Sequence, residues 1–127
     1  GNVFISVKDE DKSQLKTLCT KLKGLGFNFI ATKGTGLKMK EDGFEVKIIN
    51  KVMEGRPHIV DAILNNEVSM VINTTEGRQS IKDSYSIRRS ALEHSVFLTT
   101  TISGGFAIVE SLEQGEKVWS YDALQNS

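Results

Sequence analysis

The stretch Met70-Val71-Ile72-Asn73-Thr74-Thr75-Glu76-Gly77-Arg78 decides how the rest of the chain is interpreted. Its apolar start stops at an amide and two hydroxyls, and a long amphipathic segment follows. This is typical of a buried strand that ends in a polar turn and leads into a helix. Open α/β sheets bind ligands at such strand ends, and the N–H groups at the start of the following helix favour anions. The stretch therefore predicts an anion site, with the donors Asn73, Thr74, Thr75 and Arg78. An ordinary strand-to-helix turn, with Thr75 as the N-cap, explains this segment equally well when it is taken alone.

The composition bounds the class of protein. A chain of 127 residues predicts one domain, spanning residues 1–127. The single cysteine, Cys19, excludes a disulfide framework and a zinc site built from several cysteines, and it favours the cytoplasm. The 16 basic and 16 acidic residues cancel, so we expect neither nucleic-acid nor membrane-surface binding. Because the chain begins with Gly1 and enters a strand almost at once, we expect a domain excised from a longer chain.

Strand-like and helix-like segments alternate along the chain. Apolar runs rich in β-formers predict strands over residues 3–7, 27–31, 44–49, 69–72 and 96–98. Amphipathic or capped segments predict helices over residues 15–25, 37–41, 58–65 and 78–94, and a last helix after residue 103. We further expect a break near residues 84–86 and a short edge strand over residues 117–121. The alternation predicts an α/β fold, a three-layer α/β/α sandwich with a five-stranded parallel sheet, Rossmann-like and doubly wound.

The ends of the first four predicted strands carry the same kinds of side chain. They are Ser6 and Lys12, then Thr32, Lys33 and Thr35, then Asn50 and Lys51, then Asn73, Thr74, Thr75 and Arg78. In a parallel sheet these ends share one edge, so hydroxyls, amides and cations converge there without a carboxylate among them. A phosphate dianion needs several charge-assisted donors of this kind. The convergence favours a site for a phosphate-bearing small molecule.

The sequence indicates catalytic residues less clearly than it indicates a phosphate site. His58 follows Pro57 at a helix start, His94 ends a helix, and Asp61 and Glu54 lie near His58. None forms a cluster with metal-ligand or nucleophile spacing. We therefore predict no catalytic residue and no metal site, which suits a sensor better than an enzyme.

Several segments together resemble a known family. They are residues 50–59, 72–78, 87–92, 99–100 and 104–107, with residues 31–35 in addition. They are similar to the C-terminal regulatory domain of the carbamoyl-phosphate synthase large chain, over nearly the whole chain and more weakly after residue 112. The resemblance implies a methylglyoxal-synthase-like fold and a domain that binds nucleoside monophosphate effectors, UMP or IMP.

The resemblance also implies a role for particular residues. The positions that match phosphate ligands are Lys12, Thr32, Thr35, Lys51, Asn73 and Thr75. The positions that match the nucleoside-lining residues are Ser6, Val52, Ile59 and Ile87. Thr100 matches a residue near an ornithine site that the preceding domain would complete.

The parent implied by this family is a ligase. It makes carbamoyl phosphate for arginine and pyrimidine biosynthesis from glutamine-derived ammonia, bicarbonate and ATP, with Mg or Mn. That chemistry lies outside this domain, for which no cofactor is expected. The implied partners are the other domains of the large chain, through them the glutaminase small chain, and further copies of the domain.

Two enzymes of the same fold provide the alternative class. Methylglyoxal synthase, a lyase that acts on a phosphorylated metabolite, carries a catalytic aspartate in the turn after the third strand. Here residues 54–58 lack one, and Asp61 falls about a helical turn later. The turn also departs from that of the inosine-monophosphate cyclohydrolase domain. Because some animal synthases bind N-acetylglutamate in this domain, the identity of the effector stays open.

Overall fold

The structure is a computed structural model. It describes the backbone of residues 1–74 and 77–126, and the side chains in these ranges except those of residues 53, 77–83 and 115–126.

A five-stranded parallel sheet forms the centre of the molecule, as the alternating pattern predicted. Its strands are β1 (Asn2–Ser6), β2 (Asn28–Thr32), β3 (Lys47–Ile49), β4 (Met70–Asn73) and β5 (Phe97–Thr99). The order across the sheet is β3-β2-β1-β4-β5, so the chain runs outward on one side of β1 and then returns to its other side. Ile5 of β1 lies opposite Ala31 of β2 and Ile72 of β4, which aligns the polar ends of these three strands.

Helices cover both faces of the sheet. They are α1 (Leu15–Gly24), α2 (Lys33–Glu41), α3 (Ile59–Leu64), α4 (Gly77–Glu93) and α5 (Ile102–Asn126), with short 3-10 helices over Asp9–Gln14 and Val52–Glu54. One core cluster joins the sheet to α1, α2 and α5, and a second joins it to α3 and α4. The three central residues of β1 are all buried because both of its faces are covered. The predicted three-layer, doubly wound arrangement is confirmed.

The apolar residues of α1 show how a periodic spacing in the sequence corresponds to burial in the core. Leu15, Leu18, Cys19 and Leu22 recur at spacings of three and four, and all four are fully buried. Burial raises the pKa of the Cys19 thiol to about 12, with a smaller contribution from the charge of Asp42. Cys19 is therefore a core residue.

Two glycines at the start of α5 let this helix approach the sheet. A Cβ on Gly105 would lie 3.3 Å from Leu18 Cδ2 and 3.4 Å from Ile72 Cδ1. A Cβ on Gly104 would collide with the Thr99 hydroxyl. Gly104 needs to be a glycine because of this close approach, whereas a Cβ at Gly105 would require its neighbours to shift by a few tenths of an ångström.

Two predictions of local structure were wrong. The helix α4 is continuous through residues 84–86. Ser and Tyr destabilise a helix by only a few tenths of a kcal/mol each, roughly. The burial of Ile87 and Ala91 stabilises α4 when it continues past these residues. The predicted edge strand over residues 117–121 is part of α5. Adding residues to an existing helix costs much less free energy than nucleating a new element. In this segment only Gly115 disfavours the extension of the helix.

The remaining differences concern boundaries. The strand β3 has three residues rather than six, because Phe44 leaves the sheet and packs edge-on against Phe29, with ring centroids 5.7 Å apart. The helix α2 begins four residues earlier than predicted, at Lys33. Among the described residues, no helix combines the length and apolar character that a membrane span requires.

Candidate functional site

A cavity of about 380 Å³ lies at the carboxyl ends of β1, β2 and β4. It stands beside β1, where the strand order reverses, which is the usual ligand position in open α/β sheets. Its lining residues are Phe4, Ser6, Val7, Lys8, Asp9, Lys12, Thr32, Gly34, Thr35, Lys51, Val52, Ile59, Asn73, Thr74 and Ile87.

The cavity brings together most of the residues predicted for the effector. Five of the six phosphate positions line it: Lys12, Thr32, Thr35, Lys51 and Asn73. All four nucleoside positions line it as well: Ser6, Val52, Ile59 and Ile87. Their roles toward a ligand stay predictions.

Five predicted residues lie elsewhere or outside the described part of the chain. Lys33 and Asn50, predicted from the strand ends, do not line the cavity. Thr75, predicted both as a phosphate ligand and as a helix cap, lies outside the described residues, and so does the side chain of Arg78. Thr100 is exposed in a bend after β5 and does not line the cavity.

Two buried threonines hold the turn that follows β1. The Val7 N–H donates to Thr35 Oγ1 at 3.0 Å, and the Lys8 N–H donates to Thr74 Oγ1 at 2.8 Å. The Thr74 N–H in turn donates to the Ser6 carbonyl at 2.9 Å. Thr74, first considered as an anion donor, thus uses its hydroxyl oxygen as a backbone acceptor. The hydroxyl groups at this edge of the sheet therefore line the cavity and also hold the backbone around it in place.

Other polar contacts link the strands to one another and to α4. The hydroxyls of Ser6 and Thr32 lie 2.9 Å apart, which joins β1 to β2 beneath the cavity. Asn73 Nδ2 donates to Ser84 Oγ at 3.2 Å, which orients the Asn73 amide from the side of α4. The donors at the cavity floor are therefore held in position before any ligand arrives.

Three lysines and one aspartate make the cavity locally positive, although the chain has a formal net charge of zero. Lys12 Nζ lies 2.6 Å from Asp9 Oδ1, and this hydrogen bond and charge hold the pKa of Asp9 below its ordinary value. The pattern of strand ends missed Asp9 and Lys8 because residues 8–12 indicated only a helix start. The residues grouped from the strand ends include no carboxylate, and the structure adds Asp9 to them. Their position directly after β1 was the signal that could have found both residues.

The segment 51–58, which we call the strap, carries Lys51 and Val52 into the cavity from the end of β3. Its first half is closed by Glu54, whose Oε1 accepts the Lys51 N–H at 2.7 Å. At its base, the Asn50 N–H donates to the Pro57 carbonyl at 3.1 Å.

Asp61 holds the second half of the strap. Its Oδ1 accepts from Arg56 Nε at 2.7 Å, and its Oδ2 accepts the His58 N–H at 3.0 Å. The hydrogen bond from the Arg56 guanidinium, and then the one from the His58 backbone, lower the pKa of Asp61.

The two histidines have structural roles. His58 Nδ1 accepts the Val60 N–H at 3.2 Å, so this side chain caps α3, and it does not line the cavity. His94 Nδ1 lies 3.1 Å from the Ser90 carbonyl near the end of α4. In the part of the chain that the structure describes, no three His, Cys, Asp or Glu side chains converge as metal ligands would.

Comparison with known proteins agrees with this architecture. The family model described as "MGS-like domain" matches residues 14–100. The carbamoyl phosphate synthase large chain of Pseudomonas putida is 56% identical over 115 residues, which cover 91% of this chain and 11% of that protein. The corresponding large chain of Xanthomonas axonopodis pv. citri is 48% identical over 126 residues, which cover 98% of this chain and 12% of that protein. This chain thus spans about a tenth of the length of these relatives.

The family match covers more than half of the chain, and the resemblance to the carbamoyl-phosphate synthase large chain is confirmed by these relatives. The parallel sheet, its strand order and the cavity at the switch point fit the same assignment. The chain belongs to the MGS-like domain family.

Proposed function

We propose that this domain is the effector-binding regulatory domain of a carbamoyl-phosphate synthase large chain, and that it binds a nucleoside monophosphate, UMP or IMP, through its phosphate. The observation that carries the proposal is the one cavity that Lys12, Lys51, Thr32 and Thr35 line together at the strand ends. Its volume of about 380 Å³ lies within the usual range of roughly 300–1,000 Å³ for small-molecule sites.

The cationic residues that line the cavity suit a phosphate. Lys12 and Lys51 neutralise the dianion in this proposal, while Thr32, Thr35 and Asn73 orient it. The first turn of α2, which contains Gly34 and Thr35, adds backbone N–H groups that favour an anion. A Cβ on Gly34 would lie 3.5 Å from Lys12 Nζ, so glycine keeps the space beside this ammonium group open.

The cavity also has apolar lining residues. Val52, Ile59 and Ile87 come from the strap, α3 and α4, and they line the cavity together with Ser6. Such residues suit the base and ribose of a nucleotide, which inorganic phosphate lacks. A nucleoside monophosphate uses both the cationic and the apolar lining residues, and this is why we prefer it to a smaller anion.

The domain acts as a regulator in this proposal. An effector changes the activity of the parent only if it binds two states of the parent with different affinity, typically by 1–3 kcal/mol of coupling, roughly. The partners are the remaining domains of a cytoplasmic large chain, the glutaminase small chain and further copies of the domain, and Thr100 would contribute to an ornithine site shared with the preceding domain. ATP and Mg or Mn serve the parent ligase reaction elsewhere, and this domain needs no cofactor.

Titration calorimetry of the full chain with UMP, IMP and N-acetylglutamate tests the proposal. Lys51→Ala removes one charge-assisted hydrogen bond, and at this exposed position we expect about a tenfold loss of UMP affinity, roughly 1.4 kcal/mol. Lys16→Ala, on the exposed side of α1, is the matched control and leaves the affinity unchanged. Equal affinity of the Lys51 variant and the wild type would contradict the phosphate assignment.

An enzyme of the same fold is the second candidate. Asp9 favours it, because a carboxylate beside a lysine at an anion site resembles a catalytic pair. The lowered pKa of Asp9 makes it a weak base, and this favours the regulatory function instead. Formation of methylglyoxal from dihydroxyacetone phosphate by the purified chain would decide for the enzyme.

A further inference from the structure

The strap is fastened on both sides of a glycine. Gly55 has a φ of +96°, a conformation that other residues rarely adopt, and it separates the half tied by Glu54 from the half tied by Asp61. Lys51 and Val52 lie at the start of the first half and line the cavity. Asn50, the residue just before Lys51, donates its N–H to the Pro57 carbonyl at 3.1 Å, which joins the second half of the strap to the place where Lys51 begins.

Asp61 makes more contacts to the strap than its position in α3 requires. Besides the His58 N–H, its carboxylate receives Arg56 Nε at 2.7 Å and lies 2.6 Å from Arg56 Nη2, although Arg56 itself is 79% exposed. The Asp61 side chain is only 13% exposed, and it does not line the cavity. An aspartate that served only to cap α3 would need the His58 N–H and no guanidinium.

We infer that Asp61 is a positioning residue for the effector site, which fastens the strap and thereby holds Lys51 in place for the ligand phosphate. The inference rests on the proposed function and adds a residue that does not touch the ligand. When the strap is fastened, Lys51 loses little further freedom on binding. When it is not, the binding reaction must order the strap as well, and the affinity falls by that amount.

The contact that fastens the strap depends on the negative charge of Asp61. Asp61→Asn keeps the size of the side chain but removes the negative charge that attracts the Arg56 guanidinium. Arg56→Ala removes the partner instead, at a position so exposed that the core is untouched. Glu93→Gln is the matched control, because Glu93 pairs with Arg89 on the exposed side of α4, and neither residue lines the cavity.

A double-mutant cycle on the full chain tests the inference, with UMP affinity measured by calorimetry. We expect Asp61→Asn to weaken binding about fivefold and Arg56→Ala to weaken it by a smaller factor, while Glu93→Gln has no effect. In the Lys51→Ala background, Asp61→Asn should cause a smaller further loss, because Val52 is then the only described side chain of the strap that still contributes to the cavity. Amide hydrogen exchange should accelerate over the strap in Asp61→Asn and remain unchanged there in Glu93→Gln.

Three results would contradict either the inference or the proposed function, and they can be told apart. Unchanged UMP affinity in both Asp61→Asn and Arg56→Ala overturns the inference and leaves the proposed function intact. A fivefold loss from Asp61→Asn that is equally large without Lys51 also overturns it, since the residue would then act on the fold in general. Failure of the wild-type chain to bind UMP or IMP overturns the proposed function, and the inference with it.

Discussion

Replacing Thr35 by valine tests how the turn after β1 is held. Thr35 is 2% exposed, and its hydroxyl oxygen accepts the Val7 N–H at 3.0 Å. Valine has nearly the same shape, so the substitution leaves no cavity, but it removes the acceptor. The Val7 N–H is then buried without a partner in the described structure.

The expected loss of stability follows mainly from the unpaired Val7 N–H, since the hydrogen bond that the Thr35 hydroxyl donates to the Val7 carbonyl is long, at 3.5 Å. Leaving a buried N–H unsatisfied costs about 1–3 kcal/mol in free energy of unfolding. For a domain of this size each kcal/mol corresponds to about 3–5 °C in melting temperature. A loss near the middle of the range, about 2 kcal/mol, therefore lowers the melting temperature by about 6–10 °C.

Thermal unfolding followed by circular dichroism measures the effect. Thr35→Ser keeps the acceptor and loses only one buried methyl group, about 0.8 kcal/mol, so it should be the more stable of the two variants. Thr20→Val, on the exposed side of α1, is the control and should change stability by less than about 0.5 kcal/mol. A Thr35→Val domain as stable as the wild type, or more stable than Thr35→Ser, would refute this account of the turn.

Three further predictions follow from other features. Because Cys19 is fully buried with a pKa of about 12, it should react with a thiol reagent at pH 7 only when the domain is unfolded by denaturant, and rapid labelling of the native chain would contradict its place in the core. Gly104→Ala should destabilise the domain through its collision with the Thr99 hydroxyl, and Thr99→Ala should restore part of the melting temperature; no restoration would mean that another contact is responsible. The pKa of Asp61 is lowered below its ordinary value of 3.8, so the stability it contributes is present above that pH and is lost as the pH falls through the lowered pKa. Urea unfolding should accordingly show a smaller loss between neutral and acidic pH for Asp61→Asn than for the wild type, and equal losses would contradict the role of Arg56 as its partner.

The layout of the sheet could be predicted because it depends on local patterns. The apolar stripe of α1 and the apolar strands repeat with the periods of their elements, and short connections leave a parallel sheet as the simple solution. Once the sheet is parallel, the strand ends must meet at one edge. Thr32, Lys51 and Asn73 could therefore be grouped from their positions alone.

The contacts within the site could not be predicted in the same way. That Thr74 accepts a hydrogen bond from Lys8 depends on the direction of a hydroxyl across two strands, and no spacing along the chain encodes it. Asp9 does lie at a helix start, as the acids of this segment predicted, and the three-residue spacing in the 3-10 helix brings it beside Lys12. The sequence pattern did not indicate that this turn lines the cavity. The fastening of the strap by Asp61 depends likewise on the path of the backbone from Arg56 to Asp61.

The hydrogen bonds that hold the turn after β1 have a consequence for when the cavity forms during folding. The partners of Val7 and Lys8 lie 28 and 66 residues further along the chain, so the turn is complete only when β2 and β4 have both docked on β1. Contacts of such long range form late, because the entropy of closing the intervening loops opposes them. A partly folded chain would present the lysines without the scaffold that arranges them. An effector of the proposed kind would bind only completed molecules and, at a concentration a hundredfold above its dissociation constant, would protect them against unfolding by about 2.7 kcal/mol, so that its binding would also report that the domain is intact.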